Sequence, residues 1–459
     1  MAAAGPADSQ SEQFPVSFKS REDVGGRQET VASCTSSPLI CERMLSIDMN
    51  MKINDISEVS SRLVQYVETE ILPRYDRYDK AHSRRHIMSV IGQSMELYRK
   101  LSAGEMDGGR KYDLDPDMVY AIAAYHDLGV CEGREFHHLV SGRMLEEDSK
   151  LREWFSEEQI CEMKEAVEDH RSSNKSLPRG IYGRIVSEAD KLIDFDTVFS
   201  RAILYARATC PDLSDEGIFE KSYAHLLEKY GDGGYLHLQF PDSPSALRLE
   251  KLREALRDPV LMRQEYSLFE IHPLEPFVPE NARVLLLGSF PPPHERWSME
   301  FFYPNFQNDM WRIMGLLFYG DKEHFVVRGQ KRFDYGKVTD FCRREGIALY
   351  DAAYMVKRLR GNASDNFLKI MEPTDVQALL ARMPSCGTVV STGGKSAGQI
   401  AGILGVPVPE VGGSISFTPG PGNGERGRRI AFFRMPSSSR AYPLSVERKA
   451  AAYSSVLLQ

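Results

Sequence analysis

Residues 123–130 read AAYHDLGV, a histidine and an aspartate side by side within an otherwise apolar run. Upstream, Asp115 followed by Pro116 predicts a helix N-cap with proline in the first helical position, and Gly129 predicts the stop. Met118, Val119, Ile122 and Tyr125 recur at helical spacing, which sets His126 on the face of Val119 and Ile122. That face is expected to be buried. A carboxylate taken out of water without partners is strongly disfavoured, so Asp127 needs a cation, a set of hydrogen bonds or a shifted pKa. The plainer alternative is a hydrogen-bonded core histidine beside a surface aspartate, and the dipeptide by itself does not choose between them.

A chain of 459 residues has room for two or three domains. With 42% hydrophobic and 27% charged residues it has the composition of a soluble globular protein, and it contains no apolar run long enough to cross a bilayer. The N-terminus shows no charged start followed by an apolar core, so no secretory signal is expected. Cys34, Cys41, Cys131, Cys161, Cys210, Cys342 and Cys386 form no CxxC pair. They read as reduced thiols of an intracellular, cytoplasmic protein, which argues against a zinc-thiolate site. The overall charge of −8 hides a division. Residues 281–459 hold 23 Lys and Arg against 15 Asp and Glu, a net +8, and residues 1–280 carry −16. A basic C-terminal half suits a polyanionic partner such as nucleic acid, whereas the acidic half would be repelled by a duplex. A merely solvated basic face is the bland alternative.

Residues 1–48 are rich in Ser, Gly, Gln and charge without a sustained period, and they are expected to be disordered. With Met44, Met49 and Met51 ahead of the first convincing helix, an over-extended translation start is a second reading. Residues 49–268 are helical in pattern almost throughout, notably over 59–72, 82–101, 116–128, 157–169, 182–195 and 247–256. Residues 269–281, with three prolines, read as a linker. Beyond it, RVLLLG (283–288), IALY (347–350), TVVS (388–391) and RIAFF (429–433) are short apolar runs between helical or loop segments. They predict a small four-stranded parallel sheet flanked by helices over 282–459, with any site in the loops at the strands' C-terminal ends.

His86 lies in AHSRRHIMSVIG with Val90 and Leu97 on its face, and Asp190 in YGRIVSEADKLIDFD is flanked by Val186 and Ile193. His86, His126, Asp127 and Asp190 are thus four potential ligands near apolar faces, and convergence on a cation would leave none of them unpaired. Two imidazoles and two carboxylates suit a divalent Mn, Fe, Co, Ni or Zn ion better than an all-oxygen calcium site, with Mg also allowed. The order H, then HD, then D resembles the HD-domain metal-dependent phosphohydrolase superfamily over about residues 50–210. The phrases YDKAHSRRHI, AAYHDLGVCEGREFHHLVSG, AVEDHRSS and YGRIVSEADKLI add to that resemblance. It implies an all-α domain with His86, His126, Asp127 and Asp190 as ligands and a catalytic part for Asp127. It adds His138 and His170 as ligands of a second ion, with structural or phosphate-contacting roles as the alternatives. His82, one turn before His86, is expected to support the ligands rather than bind metal. Lys191 is a candidate for substrate phosphate, against an exposed helix lysine. Glu168 and Asp169 are an acid–base resource or a polar helix end.

The stretch LLLGSFPPPHERWSMEFFYPNFQNDMWRIMG (285–315) runs from a strand into Gly288, Ser289 and Phe290. A proline-rich loop with Phe301, Phe302 and Tyr303 follows, and then Asn308 at a helix N-cap position. The lack of a second phosphate-cradling glycine argues against a dinucleotide fingerprint. Near the last strand, FFRMPSSSRAYP (432–443) empties into a small-residue loop. These segments resemble the uracil-DNA glycosylase superfamily, in particular its hypoxanthine and mismatch-type branches, over about 282–455. The resemblance implies an α/β/α sandwich and an enzyme that extrudes a base, stacks it on an aromatic ring and reads its edge. Phe302 or Tyr303 is then the candidate ring, with Gly288, Ser289 and Phe290 as the base-facing loop. Pro436, Ser437, Ser438 and Ser439 are the candidate minor-groove wedge, and Arg426, Arg428, Arg429, Arg434 and Arg440 the phosphate contacts. Ser289 and Phe290 stand where the family motif carries a polar Asn or Asp, so water activation falls to Asn308 or Asp351. Thr392, Gly393 and Gly394 either allow close backbone approach to a base or form a tight turn. Each feature has a plain alternative: core aromatics, an N-cap asparagine, a strand-to-helix turn, a solvated basic loop.

The combined expectation is two domains, an all-α HD-type helical domain followed by an α/β/α sandwich with a small four-stranded parallel sheet. The first would hydrolyse a nucleotide or other phosphoester with a divalent metal, and the second would remove uracil or hypoxanthine from DNA. One rival is a signalling-nucleotide hydrolase whose C-terminal module only binds nucleic acid; another is a metal-stabilised scaffold without turnover. The expected partners are the phosphoester and DNA, with no membrane, and the sequence leaves the oligomeric state open.

Overall fold

The computed structural model describes residues 56–78, 82–171, 176–191, 193–360, 365–419 and 428–458. The expectations for residues 1–48, Met49, Met51 and Arg426 lie outside the described residues. Within the helical half, Asp115 caps the helix Pro116–Tyr125 by accepting from the Asp117 amide, as its sequence position predicts. Ser156 opens Glu157–Asp169 with a reciprocal capping box to Gln159. With Arg84–Ala103 and Ile181–Ala189 these helices enclose one apolar core that includes Leu63, Ile87, Val90, Ile122, Val167 and Val186. Every residue from Met118 to Tyr125 is buried, so this helix is a central rod rather than an amphipathic surface element. It ends at Tyr125, and Leu128–Glu132 continue as a 3-10 turn. Gly129 is therefore not a helix stop. A Cβ there would lie 2.2 Å from the His137 carbonyl oxygen and 2.6 Å from the Ser141 amide nitrogen. Glycine instead lets the helix His137–Glu147 approach this turn, and its amide donates to Ser141 Oγ at 2.8 Å.

The helix expected over 182–195 is two helices, because Asp194 caps a new one by accepting from the Thr197 amide. Phe195–Thr209, Asp215–Tyr230, Pro244–Leu256 and Pro259–Tyr266 build a second core around Phe199, Ile203, Leu252 and Tyr266. Met355, from the α/β half, belongs to that core as well.

The described strands are β1 (Phe269–Ile271), β2 (Val284–Gly288), β3 (Ile347–Asp351), β4 (Ala353–Arg358), β5 (Leu368–Pro373), β6 (Thr388–Ser391), β7 (Ser414–Phe417) and β8 (Ile430–Arg434). The four apolar runs are β2, β3, β6 and β8, mutually parallel in the order β3-β2-β6-β8. The fully buried residues of β2 and β3 suit strands covered on both faces. The sheet is five-stranded and mixed, however, because β7 adds an antiparallel edge to β8. A second, antiparallel sheet has the order β1-β4-β5. Its first strand comes from the stretch expected to be a linker. Phe269 registers with Lys357 and Ile271 with Met355, so the segment pairs its backbone with the α/β half instead of spanning solvent. Charges also tie this sheet to the second helical core: buried Lys357 donates to Asp196 at 2.6 Å and to Glu265 at 2.7 Å, and exposed Lys369 donates to Asp196 at 2.6 Å. No helix among the described residues is long and apolar enough to cross a membrane.

Candidate functional site

Three helix C-termini meet in the helical half. His126, His170 and Asp190 are the C-caps of Pro116–Tyr125, Glu157–Asp169 and Ile181–Ala189. Carbonyls of a last turn lack helical donors, and the aligned peptide dipoles leave partial negative charge there, which favours a cation. The imidazoles use those carbonyls. His126 Nδ1–H donates to Ala123 at 2.8 Å and His170 Nδ1–H to Val167 at 2.5 Å. His137, the first residue of its helix, donates likewise to the Arg134 carbonyl at 2.8 Å. These acceptors dictate the Nδ1–H tautomer and leave three Nε2 lone pairs for the centre of the cluster.

Asp127 stands between the histidines. Its Oδ2 lies 3.3 Å from His126 Nε2 and 3.6 Å from His86 Nε2, while Oδ1 lies 3.4 Å from His137 Nε2 and 3.5 Å from His170 Nε2. Asp190 Oδ1 completes the first group, 3.1 Å from His86 Nε2 and 3.7 Å from His126 Nε2. His86 enters from the first turn of Arg84–Ala103. Tyr75 and Tyr78 brace the Asp127 segment by donating to the Ala124 and Leu128 carbonyls at 2.8 and 2.6 Å.

Burial disfavours a charged imidazole at His126, yet the Asp127 and Asp190 carboxylates outweigh it and hold the pKa of His126 well above its ordinary value. The same balance raises His86. In return, burial pushes the Asp127 and Asp190 carboxyls up but the imidazoles hold both below the usual carboxylate range. At His137 burial prevails, aided by neighbouring His170, and the pKa falls. The cluster thus calls for positive charge, and a divalent cation fits it. His126 Nε2 is buried without a hydrogen-bond partner. His137 and His170 Nε2 face each other at 3.1 Å, a meeting of lone pairs that a shared cation or proton relieves. The mixed nitrogen and oxygen donors match borderline transition metals.

All four expected ligands of the first group are brought together. In the second, His170 takes its expected place, but His137 stands where His138 was expected. His138 lies with Ser141, Gly142 and Leu145 on the buried helix face and outside both clusters of ligand atoms. Burial, with His137 and His170 nearby, lowers its pKa to about 4. The Lys191 ammonium is turned to the His237 carbonyl at 2.9 Å instead of being free for phosphate, and burial lowers its pKa. Arg179 grips Glu168 at 2.8 Å and Asp169 at 3.0 Å, which makes them a salt-bridged helix end. The His82 ring sits 6.4 Å from that of His137.

A second constellation forms at the C-terminal ends of the parallel strands. Gly288 registers with Asp351, Leu287 with Ser391 and Ser391 with Arg434, so the loops after β2, β3, β6 and β8 share one edge. His272 Nε2 and Asp351 Oδ2 are 2.9 Å apart. Asp351 Oδ1 would lie 2.2 Å from a Cβ at Gly288, which is why the position takes glycine. Tyr303, at φ 51°, places its hydroxyl 3.0 Å from Thr392 Oγ1 and its ring against Trp311. Phe302 is buried in the core. Phe302 is therefore not free to stack on an extruded base, whereas the Tyr303 ring is half-buried. Phe290 is half-buried against the His272 ring and Ser289 is half-buried beside it. Asn308 Oδ1 accepts from the Met310 amide at 2.9 Å in a local turn, but the helix N-cap is Asp309, one residue after the expected position.

The 436–439 loop is tied down rather than projecting as a wedge. The Pro436 carbonyl accepts from Tyr453 at 2.9 Å, and Ser438 is buried with its carbonyl accepting from the Asp309 amide at 2.9 Å. Ser437 Oγ accepts from the Ser439 amide at 3.2 Å, and Lys449 donates to the Ser439 carbonyl at 2.7 Å. Arg440 is exposed, 3.6 Å from Asp309 Oδ1. Arg428 bonds the Leu380 and Met383 carbonyls and Arg434 the Pro409 carbonyl, so both serve the fold, while Arg429 is exposed.

Residues 84–193, which contain His86, His126, Asp127, His137, His170 and Asp190, match the family model of the HD domain. This stretch of the helical half is therefore HD-like. The solution NMR structure of a provisionally assigned uracil DNA glycosylase from Methanosarcina acetivorans is 20% identical, with 40% of this chain and 94% of that chain covered and a TM-score of 0.28. No curated protein matches the chain.

Proposed function

We propose that the helical half is a metal-dependent phosphohydrolase acting on a nucleotide or other phosphoester. One observation carries this reading: the two oxygens of the buried Asp127 each face a pair of imidazole Nε2 atoms. His86, His126, Asp127 and Asp190 would hold one divalent cation, and Asp127, His137 and His170 a second. A cation so held lowers the pKa of a water molecule and offsets charge growing on a phosphoryl oxygen. The chain supplies orientation through the Nδ1 anchors, and it sets the spacing of the two groups through the close approach at Gly129. The test is phosphate release from nucleoside mono-, di- and triphosphates and from phosphodiesters, with Mn, Co, Ni or Mg, in wild type and Asp127→Ala. Turnover that disappears with Asp127→Ala supports the reading. A metal-loaded wild type that hydrolyses no member of the panel refutes it and leaves a structural metal.

For the α/β half the reading is removal of uracil or hypoxanthine from DNA. Supporting it are the net charge of +8 over 281–459 and the convergence of Gly288, Asp351 and Thr392 at one sheet edge. In this reading Asp351 activates the water, since Asn308 Oδ1 is taken up by the Met310 amide. Abasic sites in a uracil- or hypoxanthine-containing duplex would support this role. Retention of that duplex without abasic sites leaves a binding module.

A further inference from the structure

We propose that His272 is the positioning residue for Asp351, an inference that rests on the base-excision reading of the α/β half. His272 immediately follows β1, and its amide donates to the Tyr354 carbonyl at 2.8 Å, which fixes its backbone against the α/β half. Its ring lies among Tyr350, Phe290 and Phe302, with centroids 4.5, 5.4 and 6.0 Å away. A histidine among aromatics needs a polar partner on each nitrogen. Nε2 has Asp351 Oδ2 at 2.9 Å. Nδ1 has two neighbours from one residue, the Leu274 carbonyl at 2.8 Å and the Leu274 amide at 3.2 Å.

That pair of neighbours accommodates both charge states of the ring. A neutral His272 with its proton on Nε2 accepts from the Leu274 amide, and an imidazolium donates to the Leu274 carbonyl. In either state a proton lies between Nε2 and Asp351, and the N–H donates to Oδ2. Oδ2 is thereby held, and Oδ1 is directed over the Cα of Gly288, where no side chain intervenes. Asp351 is thus oriented as a base for the attacking water. In the step it serves, a bond forms between the water oxygen and the sugar C1′ while the C1′–N bond breaks. The water proton passes to Asp351 Oδ1, and the base leaves with the bonding electron pair and takes a proton from solvent. The titratable groups facing Asp351 are His272 from the exit of β1, Tyr303 from the loop after β2 and Tyr350 from β3.

The experiment compares full-length wild type, His272→Phe, His272→Gln and Asp351→Asn in single-turnover abasic-site formation between pH 5 and 9, with a thermal melt of each. Phenylalanine keeps the aromatic packing but has no N–H to hold Asp351 Oδ2, so the acid limb of the rate profile moves to higher pH. The rate at neutral pH falls about 100-fold, within the range of general-base effects. Glutamine retains a donor and recovers most of the rate. His272→Leu replaces the phenylalanine variant if that variant shows no cooperative melt. A simple packing role lowers the melt without moving the acid limb, so an unmoved limb with wild-type rate overturns the role of His272 and leaves base excision intact. Wild type that makes no abasic sites overturns base excision and the role of His272 together.

Discussion

Replacing Lys357 with methionine tests how the two halves are held together. Lys357 is 1% exposed, with its ammonium 2.6 Å from Asp196 Oδ1 and 2.7 Å from Glu265 Oε2. Lys369 provides a second cation to Asp196, and the described ion pairs give Glu265 none besides Lys357. Methionine fills a similar volume but strands a buried carboxylate, and breaking a buried pair from one side costs about 3–5 kcal/mol. In a unit of 150–250 residues each kcal/mol moves the melting temperature by about 2–4 °C, so the variant should melt roughly 6–20 °C lower. Acid should narrow the gap. At Asp196 burial pushes the pKa up, but Lys357 and Lys369 outweigh it and hold the carboxyl below its ordinary value. A depressed folded pKa contributes stability above the unfolded value and loses it as the pH falls through the folded one. Wild type therefore loses this contribution below about pH 4, whereas Asp196 without Lys357 protonates more readily. Calorimetry at pH 7 and pH 4 measures both effects. The triple variant Lys357→Met, Asp196→Asn, Glu265→Gln should regain much of the loss. A single variant that melts with wild type at pH 7, or whose deficit grows on acidification, refutes the reasoning.

The metal cluster makes three further predictions. His137→Ala should lower the bound-metal stoichiometry by one equivalent, and His138→Ala should leave it unchanged; elemental analysis after dialysis distinguishes them. Gly129→Ala forces its Cβ against the His137 carbonyl and the Ser141 amide, so it should mimic His137→Ala in metal content and cost about 1–3 kcal/mol in a urea melt. Chelation should lower the melting temperature of the loaded protein, since a ligand at 100 times its Kd contributes about 2.7 kcal/mol. An unchanged melt after verified metal removal would argue against a bound ion.

The first candidate ligand group was legible because each of its residues sits beside apolar positions at helical spacing, and that periodicity survives into the packed core. The second was only half legible. His138 was expected from the family resemblance alone, and it faces the core with Ser141, Gly142 and Leu145. The histidine that reaches Asp127 is its neighbour at the helix start, and the signal lay in Gly129, whose missing side chain admits that helix. The parallel strands were visible as apolar runs. β7 was not, because Ser414 and Ser416 are exposed on an edge strand, nor was the three-residue β1 among the prolines that follow it. The His272–Asp351 contact joins residues 79 positions apart and carries no local pattern.

The placement of β1 also governs how the polypeptide can be cut. A fragment starting at residue 282 would lack β1 and His272, leaving β4 with an unpaired edge and Asp351 without its imidazole. A fragment ending at residue 268 would leave Phe199 and Tyr266 without Met355 in their core. Open strand edges and bare cores favour self-association, so separately made fragments should precipitate and co-expressed fragments should complement one another. The break that divides the helical half from the α/β half along the chain runs, in the folded molecule, through a β-sheet.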